Sequence, residues 1–448
     1  MKKIGCMIVL ALFLGGIKAQ EDTAKKWTLE ECIQYAIEHN IDIKQRNLQK
    51  ENADIELQTA KMSHLPNLNA GINQDWGFGK SLNTNTNGYE NRTNSSSGFY
   101  ISSNMPLFTG FKIHNQIKQN ELELEIATQG LERAKEDLSL NIAALFLDAL
   151  FNKEILKVNE EQLKLSNDQV KRTEYLVEVG KVPSSQLYDI KAQAAKDEVS
   201  VIQALNRLQL SLLDLSQSLE LERVSTSFDI FAPDLEGNVI ENNMQSILPP
   251  DMIYDNAITF KPQIKEQELK VESSKKSLKI AQAGYMPTLS LGVGYSNNYF
   301  FSYDTQNVSF KDQINNNGGE SIGLSLSIPI FNRFSVRNQV RSARINIQNQ
   351  QLALENVKKS FYKEIQTAYL NATAAQAQYC SSVKAVEASQ ESFKYAEERY
   401  EIGKLSVFEY NESKTKLIQS LSEQIQAKYD FIFRSKILDF YNGLPIKL

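Results

Sequence analysis

Apolar residues recur at every seventh position along two long stretches of the chain. Ile142, Ala149, Leu156, Leu163, Val170 and Val177 form one series, and Ile365, Ala372, Tyr379, Val386, Phe393 and Tyr400 form the other. Each residue of the second series lies 223 positions after its counterpart. Phe111 to Gly180 holds no proline and one interior glycine, Gly130, while Phe334 to Gly403 holds neither in its interior. A heptad pattern keeps one seam of an α-helix against a partner over many turns. It therefore predicts two helices, over 111–179 and 334–402, each about 100 Å long at 1.5 Å per residue. A companion seam carries Asn152, Asn159, Ser166 and Thr173 in the first run and Ala368, Ala375, Ser382, Ser389 and Ala396 in the second. Small side chains there permit close approach; their polarity equally suits a seam facing water.

Elsewhere the period changes to two, which marks strands. Leu68, Ala70, Ile72, Gln74, Trp76 and Phe78 alternate with Asn, Gly and Asp, and similar alternation runs through 99–107, 288–299 and 321–330. Residues 80–97 are nearly all polar or glycine and read as a solvated loop, as does the Asn- and Gly-rich stretch ending at Gly318-Gly319. Helices are predicted over 28–38, where Thr28 and Glu31 have capping-box spacing, and over 41–64, 185–221, 262–284 and 407–441. Gly180 and Gly403 end the long helices at tight tips, since glycine reaches the left-handed conformation without strain. Pro66 and Pro287 close matching helices, and Met105-Pro106-Leu107-Phe108 matches Ile328-Pro329-Ile330-Phe331. The chain is thus one unit written twice, over 20–221 and 261–448, joined by a linker or equatorial segment over 222–260.

Composition narrows the setting. Lys2-Lys3, an apolar run from Ile4 to Ile17 and a small residue at Ala19 predict a signal peptide over 1–19. Its removal would make the net charge of −5 three units more negative, which argues against nucleic-acid binding. Of three cysteines, Cys32 and Cys380 would remain, remote from one another and forming neither a disulfide framework nor a metal motif. No later segment is apolar for the length of a membrane helix. No catalytic cluster is found, Gly180-Lys181 lacks the rest of a phosphate loop, and no cofactor is implied.

The four strands are about membrane length, with glycine and serine on their polar faces. Open edges are not tolerated in lipid, so four strands require a shared barrel: eight strands from two copies would be nearly filled by side chains, while twelve from three leave a channel.

With Trp27-Thr28-Leu29-Glu30-Glu31-Cys32, Ala36, Asn40, the Pro66 and Pro287 junctions, Pro106-Leu107-Phe108-Thr109-Gly110, Pro329-Ile330-Phe331-Asn332 and the two glycine tips, the sequence resembles the TolC-like outer-membrane efflux protein family, in a Bacteroidetes-like form. The resemblance implies a mixed α/β membrane protein: a homotrimeric 12-stranded β-barrel, four strands per chain, continued by a long antiparallel α-helical periplasmic tunnel. It implies a passive exit duct of a tripartite efflux pump in the outer membrane of a Gram-negative bacterium. Its partners would be a periplasmic adaptor and an inner-membrane transporter of RND or ABC type. Type I protein secretion is the alternative within the family, and a non-channel periplasmic scaffold the alternative outside it.

The same resemblance points to the tips for adaptor docking: Arg172, Tyr175, Glu178, Gly180 and Lys181 on one, Arg399, Tyr400, Glu401, Gly403 and Lys404 on the other. Arg399 stands there either as a latch between neighbouring hairpins or as a solvated charge. Glu387, Glu391, Glu397 and Glu398 would form an acidic constriction, or be solvated. Phe99, Ile101, Leu289, Leu291, Leu324 and Leu326 are expected to face lipid, with Trp76, Phe78, Tyr295 and Tyr299 in an aromatic belt.

Overall fold

The computed structural model describes residues 26–83, 87–221, 228–231, 247–304 and 306–447. The expected signal peptide lies outside them. Two helices of 67 residues dominate, α3 (Lys112–Glu178) and α8 (Ser335–Glu401). Each turns back into a 35-residue helix, α4 (Ser184–Ser218) or α9 (Val407–Tyr441). The heptad positions pack as expected in the central part of α3 and along α8: Ile142, Ala149, Ile365, Ala372, Val386 and Phe393 are all buried.

The companion seam is partly dry: Asn152, Asn159, Ala368, Ser382 and Ala396 are half-buried. Ser166, Thr173, Ala375 and Ser389 are buried as well. Their small side chains let neighbouring helices approach, and Ser389 shares a 3.0 Å hydrogen bond with Ser420 on α9. Ala375 packs in one cluster with Phe431. Leucine at 375 is expected to overpack this contact and to destabilise by about 1–3 kcal/mol. A thermal midpoint of the detergent-solubilised protein unchanged from wild type would show that the seam has room.

At the opposite end from the tips lies one antiparallel sheet, ordered β2 (Asn69–Asn83), β3 (Gly88–Phe108), β5 (Thr288–Ser302), β6 (Gly319–Ser327). β3 and β5 come from different repeats and pair directly. Each strand–helix junction needs two left-handed residues in a row, Gly110-Phe111 and Arg333-Phe334. Glycine is required at 110, where a Cβ would lie 2.4 Å from the Cβ of Met286.

Two sequence expectations about loops are corrected. Much of 80–97 is strand: β2 and β3 stay paired from Asn69↔Ser102 to Asn83↔Gly88. Pairing there is between backbones, and where both faces of a hairpin meet water no apolar alternation is needed to hold it. The stretch before Gly318 contains helix α7 (Phe310–Asn316), capped by Ser309. Gln313 bonds both the N–H and the carbonyl of Phe300, so α7 covers the edge of β5 beyond the end of β6.

α1 (Leu29–His39) and α5 (Pro250–Ala257) sit beside the middle of the long helices, and α2 (Ile41–Met62) and α6 (Pro262–Ala283) lie along their sheet-side halves. The Thr28–Glu31 capping box is formed as the spacing predicts. β1 (Lys26–Trp27) pairs in parallel with β4 (Asp229–Ile230), and Ile230 is fully buried in a core with Cys32, Phe146, Leu215 and Ile432. β4 and α5 are thus short elements within the expected 222–260 segment. Pro250 is the first residue of α5, a position where its missing N–H costs nothing. Ile253 and Ala257 on α5 are buried as Cys32 and Ala36 are on α1, 221 residues earlier, so α5 opens the second repeat.

Candidate functional site

Both tips are built by the same backbone device. Lys181 N–H bonds the Leu176 carbonyl at 2.8 Å and Gly180 N–H bonds Val177 at 3.0 Å; Lys404 to Arg399 and Gly403 to Tyr400 repeat these distances. This double bond pattern satisfies helix-end carbonyls and needs a left-handed residue, supplied by Gly180 at φ 72° and Gly403 at φ 69°. The return helices begin differently. Ser184 is already helical, with Pro183 in the cap position and no side-chain cap. Ser406 forms a capping box with Glu409.

The Glu409 carboxyl is held below its ordinary range, first by its bond to the Ser406 backbone N–H, then by the Ser406 hydroxyl, with the Arg399 charge adding to it. A depressed carboxylate contributes stability that is present above its unfolded pKa and is lost as pH falls through the folded one. Acidification below the ordinary glutamate range is therefore expected to fray the first turn of α9. Hydrogen exchange should show faster amides at 406–410 but not at 184–188; equal responses would contradict the role of the box.

The two hairpins are tied together across the tips. Arg172 Nη1 lies 2.6 Å from Glu401 Oε1, and that bond is the main cause raising the arginine's pKa. Both side chains are about half exposed, so the pair contributes at most about 1 kcal/mol. Gln186 donates to the Tyr400 hydroxyl at 3.1 Å, and Tyr400 stacks on Tyr410 at 4.7 Å between ring centroids. Gln169 donates to the Tyr410 hydroxyl at 3.3 Å. Burial, and secondarily the Glu397 carboxylate, pushes Tyr410 up to about 12. Arg172, not Arg399, makes the ion pair between hairpins.

Deeper in the wall lies a polar cluster that the sequence reading missed. Lys414 on α9 is 3% exposed and Asp197 on α4 is 7% exposed. Lys414 Nζ is 3.5 Å from Asp197 Oδ2 and donates to Ser166 Oγ at 2.6 Å. Ser166 in turn donates to Asp197, while Gln162 and Gln193 donate to the same carboxylate at 3.2 and 2.9 Å. Burial pulls the Lys414 pKa down against the pull of Asp197. One signal was available: Asp197 follows Ala194 by three, and Lys414 lies between Tyr410 and Leu417, so both charges sit beside the return helices' apolar lines.

The other expected site residues fall into groups. Tyr175, Glu178, Lys181 and Lys404 are exposed at the tips. Glu387, Glu391 and Glu398 are exposed and fall within about 40° of one another around α8 at 100° per residue. Glu397 lies off that stripe: it is half-buried and acts on Arg172 and Tyr410.

In the sheet, Ile101 pairs with Tyr295, Leu291 with Leu324 and Leu289 with Leu326, and Phe99 pairs with Ile72. Directly opposed residues point to the same face, so all six expected lipid-facing residues share one face. Trp76, Phe78, Tyr295 and Tyr299 share it too. The other face carries Gly71, Asn73, Ser102, Ser290, Gly292, Gly294, Gly323 and Ser325, together with Tyr100, whose ring lies over Gly71, and Phe300, opposite Ser96. Such a sheet separates an apolar surroundings from a polar interior. No helix among the described residues is long and apolar enough to cross a membrane, and no cluster of His, Cys, Asp and Glu among them could hold a metal.

A family model described as "Outer membrane efflux protein" matches residues 32–220 and 253–439, the two repeats. The chain is 22% identical over 441 residues to the outer membrane protein TolC of Escherichia coli (strain K12), covering 96% of this chain and 84% of TolC. It is 20% identical over 432 residues to the outer membrane efflux protein BepC of Brucella suis biovar 1 (strain 1330), covering 96% of this chain and 89% of BepC. Its fold superposes on the crystal structure of the Campylobacter jejuni CmeC outer membrane channel with a TM-score of 0.72 at 16% identity, covering 99% of this chain and 94% of that one.

Proposed function

This chain belongs to the outer membrane efflux protein family, and on that premise we infer that three copies of it form the exit duct of a tripartite efflux pump. It is an outer-membrane channel protein with a long periplasmic helical extension. One observation carries the conducting role. A single sheet, apolar on one face and polar on the other, has unpaired outer edges and runs straight into helices about 100 Å long at 1.5 Å per residue. Closed through copies of itself, that sheet encloses water within lipid, and the helices prolong the bore.

The tips are the proposed docking end for a periplasmic adaptor. They expose Tyr175, Glu178, Lys181 and Lys404 around two rigid glycine turns, and exposed backbone at a fixed turn is a surface that a partner helix hairpin can grip. The energised partner would be an inner-membrane transporter of RND or ABC type. The Glu387, Glu391 and Glu398 stripe is the proposed acidic lining of the narrow end; rings of carboxylates favour cations. The Bacteroidetes-like placement rests on the sequence signatures alone.

The reading is tested by adding purified protein to a planar lipid bilayer and by deleting the gene. Stepwise conductance, and a cell more sensitive to drugs and detergents, are expected. Protein that stays monomeric and soluble without detergent, and gives no conductance, would overturn it.

A further inference from the structure

The apolar face of the sheet ends, on its helix side, in two matching aromatic pairs. Phe108 meets Phe111 edge-on, and Phe331 meets Phe334 in the same way 223 residues later. Phe108 pairs with Leu289 after a register shift at Pro106, which puts its ring on the apolar face. Aromatic rings at the end of an apolar band mark the level where hydrocarbon gives way to headgroups. The Arg337 guanidinium lies over the Phe334 ring, 5.6 Å from its centre, so it stands on that outer side and near that level.

Three more arginines accompany it. Arg341 and Arg344 fall within about 60° of Arg337 around α8 at 100° per residue, and Arg333 occupies the junction. All four are exposed, and none forms an ion pair among the described residues. No Asp or Glu occurs from Ser321 to Leu354, in a chain whose net charge is −5. Arg333 is left-handed at φ 53°, a conformation that glycine alone adopts without strain. The equivalent residue of the first repeat is Gly110. Glycine would therefore serve the backbone at 333, and what the arginine adds is its side chain.

The depth suits one surface. A headgroup layer is about 5–8 Å thick on each side of the hydrocarbon. Arg337, Arg341 and Arg344 lie about 3, 9 and 14 Å along α8 from Ser335 at 1.5 Å per residue. Helix side chains tilt toward the N-terminus, which in α8 is the sheet end, and long cationic ones carry their heads up to the interface. Arg333, Arg337 and Arg341 thus reach the phosphates, and Arg344 lies within their field.

We propose that Arg333, Arg337, Arg341 and Arg344 form a site for the phosphate groups of anionic phospholipids in the periplasmic leaflet, one patch per copy, which fixes the duct's depth beneath its barrel. The planar guanidinium suits a phosphate, which it can grip by two N–H groups at once. The proposal rests on the exit-duct reading, which puts the apolar face in lipid. The first repeat has Gly110, His114, Lys118 and Glu121 at the four positions, and Lys118 is paired with Glu121, so the patch belongs to the second repeat alone.

Native mass spectrometry of the detergent-solubilised protein, titrated with dioleoylphosphatidylglycerol or dioleoylphosphatidylcholine, tests it. The wild type is expected to hold the anionic lipid at least about tenfold more tightly. The preference should fall to within about twofold in R337Q/R341Q/R344Q and weaken as salt is raised. R333G should lose part of the preference while its thermal midpoint in lipid-free detergent stays at or above wild type, since glycine relieves the left-handed backbone; a merely structural arginine would give the reverse. Equal affinity of the wild type for both lipids, or a preference that survives the triple substitution, overturns the proposal and leaves the duct reading intact. So does a triple variant that falls to monomers in lipid-free detergent, which would assign the arginines to acidic groups of a neighbouring copy. A wild type that holds neither lipid and gives no conductance removes both.

Discussion

Replacing Asp197 with alanine is expected to destabilise the tip half of the helical wall by about 3–5 kcal/mol. The substitution leaves the Lys414 ammonium buried at 3% exposure with no carboxylate beside it. Removing both charges is expected to cost far less. In Asp197→Leu with Lys414→Met the desolvation of two ions is avoided, and such exchanges are often neutral or stabilising. The affected region is predictable because Lys414 joins α9 to Ser166 on α3 and Asp197 on α4, bridging the two hairpins. Hydrogen exchange should therefore speed up in 162–200 and 407–420 together, and not at the Ile142–Leu150 core.

The pH response of the single variant follows from the same groups. Asp197 raises the Lys414 pKa against the stronger effect of burial, so its removal lowers the folded-state value further. The unfolded chain then binds more protons between the two pKa values, and stability rises with pH there. The defect of Asp197→Ala is expected to shrink on alkalinisation. A defect that is pH-independent, or a double variant as weak as the single one, would show that the cluster acts by shape and not by charge.

Patterns that repeat were legible in the sequence, and singular contacts were not. The heptads and the alternation over 68–78 and 288–299 report a buried seam or a two-faced sheet, because burial on one side forces a period. Above the apolar band both faces of the β2–β3 hairpin meet water, so Lys80 to Ser97 lost its period while keeping its backbone pairing. The apolar positions of α5 at Ile253 and Ala257 are too few to show a helical face unless aligned with Cys32 and Ala36. At the tips, the sequence offered Arg399 as a latch between hairpins or as a solvated charge, and gave Arg172 no ion-pair partner. That choice depends on how hairpin α3–α4 lies against α8–α9, a long-range fact with no local signature. Lys414 and Asp197 stood beside apolar lines, yet a charge in such a place reads as an exposed flank until its partner, 217 residues away, is brought to it.

Arginine at Leu324 is expected to block assembly into the membrane, whereas arginine at the next residue, Ser325, is expected to be accepted. Leu324 lies midway along the run from Gly319 to Ile330 and opposite Leu291 on the apolar face. A strand tilted by about 40° advances its barrel by roughly 2.5 Å per residue, so about ten residues fill the apolar band and Leu324 falls near its centre. A cationic side chain facing lipid at that depth costs about 2–4 kcal/mol per copy, and a closed barrel of three copies bears the cost three times. Ser325 belongs to the polar face with Gly323 and Ser290, where an added charge meets water and changes the bore instead. Folded trimer recovered from outer membranes should fall by an order of magnitude or more for Leu324→Arg and stay near wild type for Ser325→Arg. The latter should shift single-channel conductance and its cation preference. If the two variants assembled equally well, the apolar face would not be the one in contact with lipid. If Ser325→Arg alone failed to assemble, the faces of the sheet would be assigned the wrong way round.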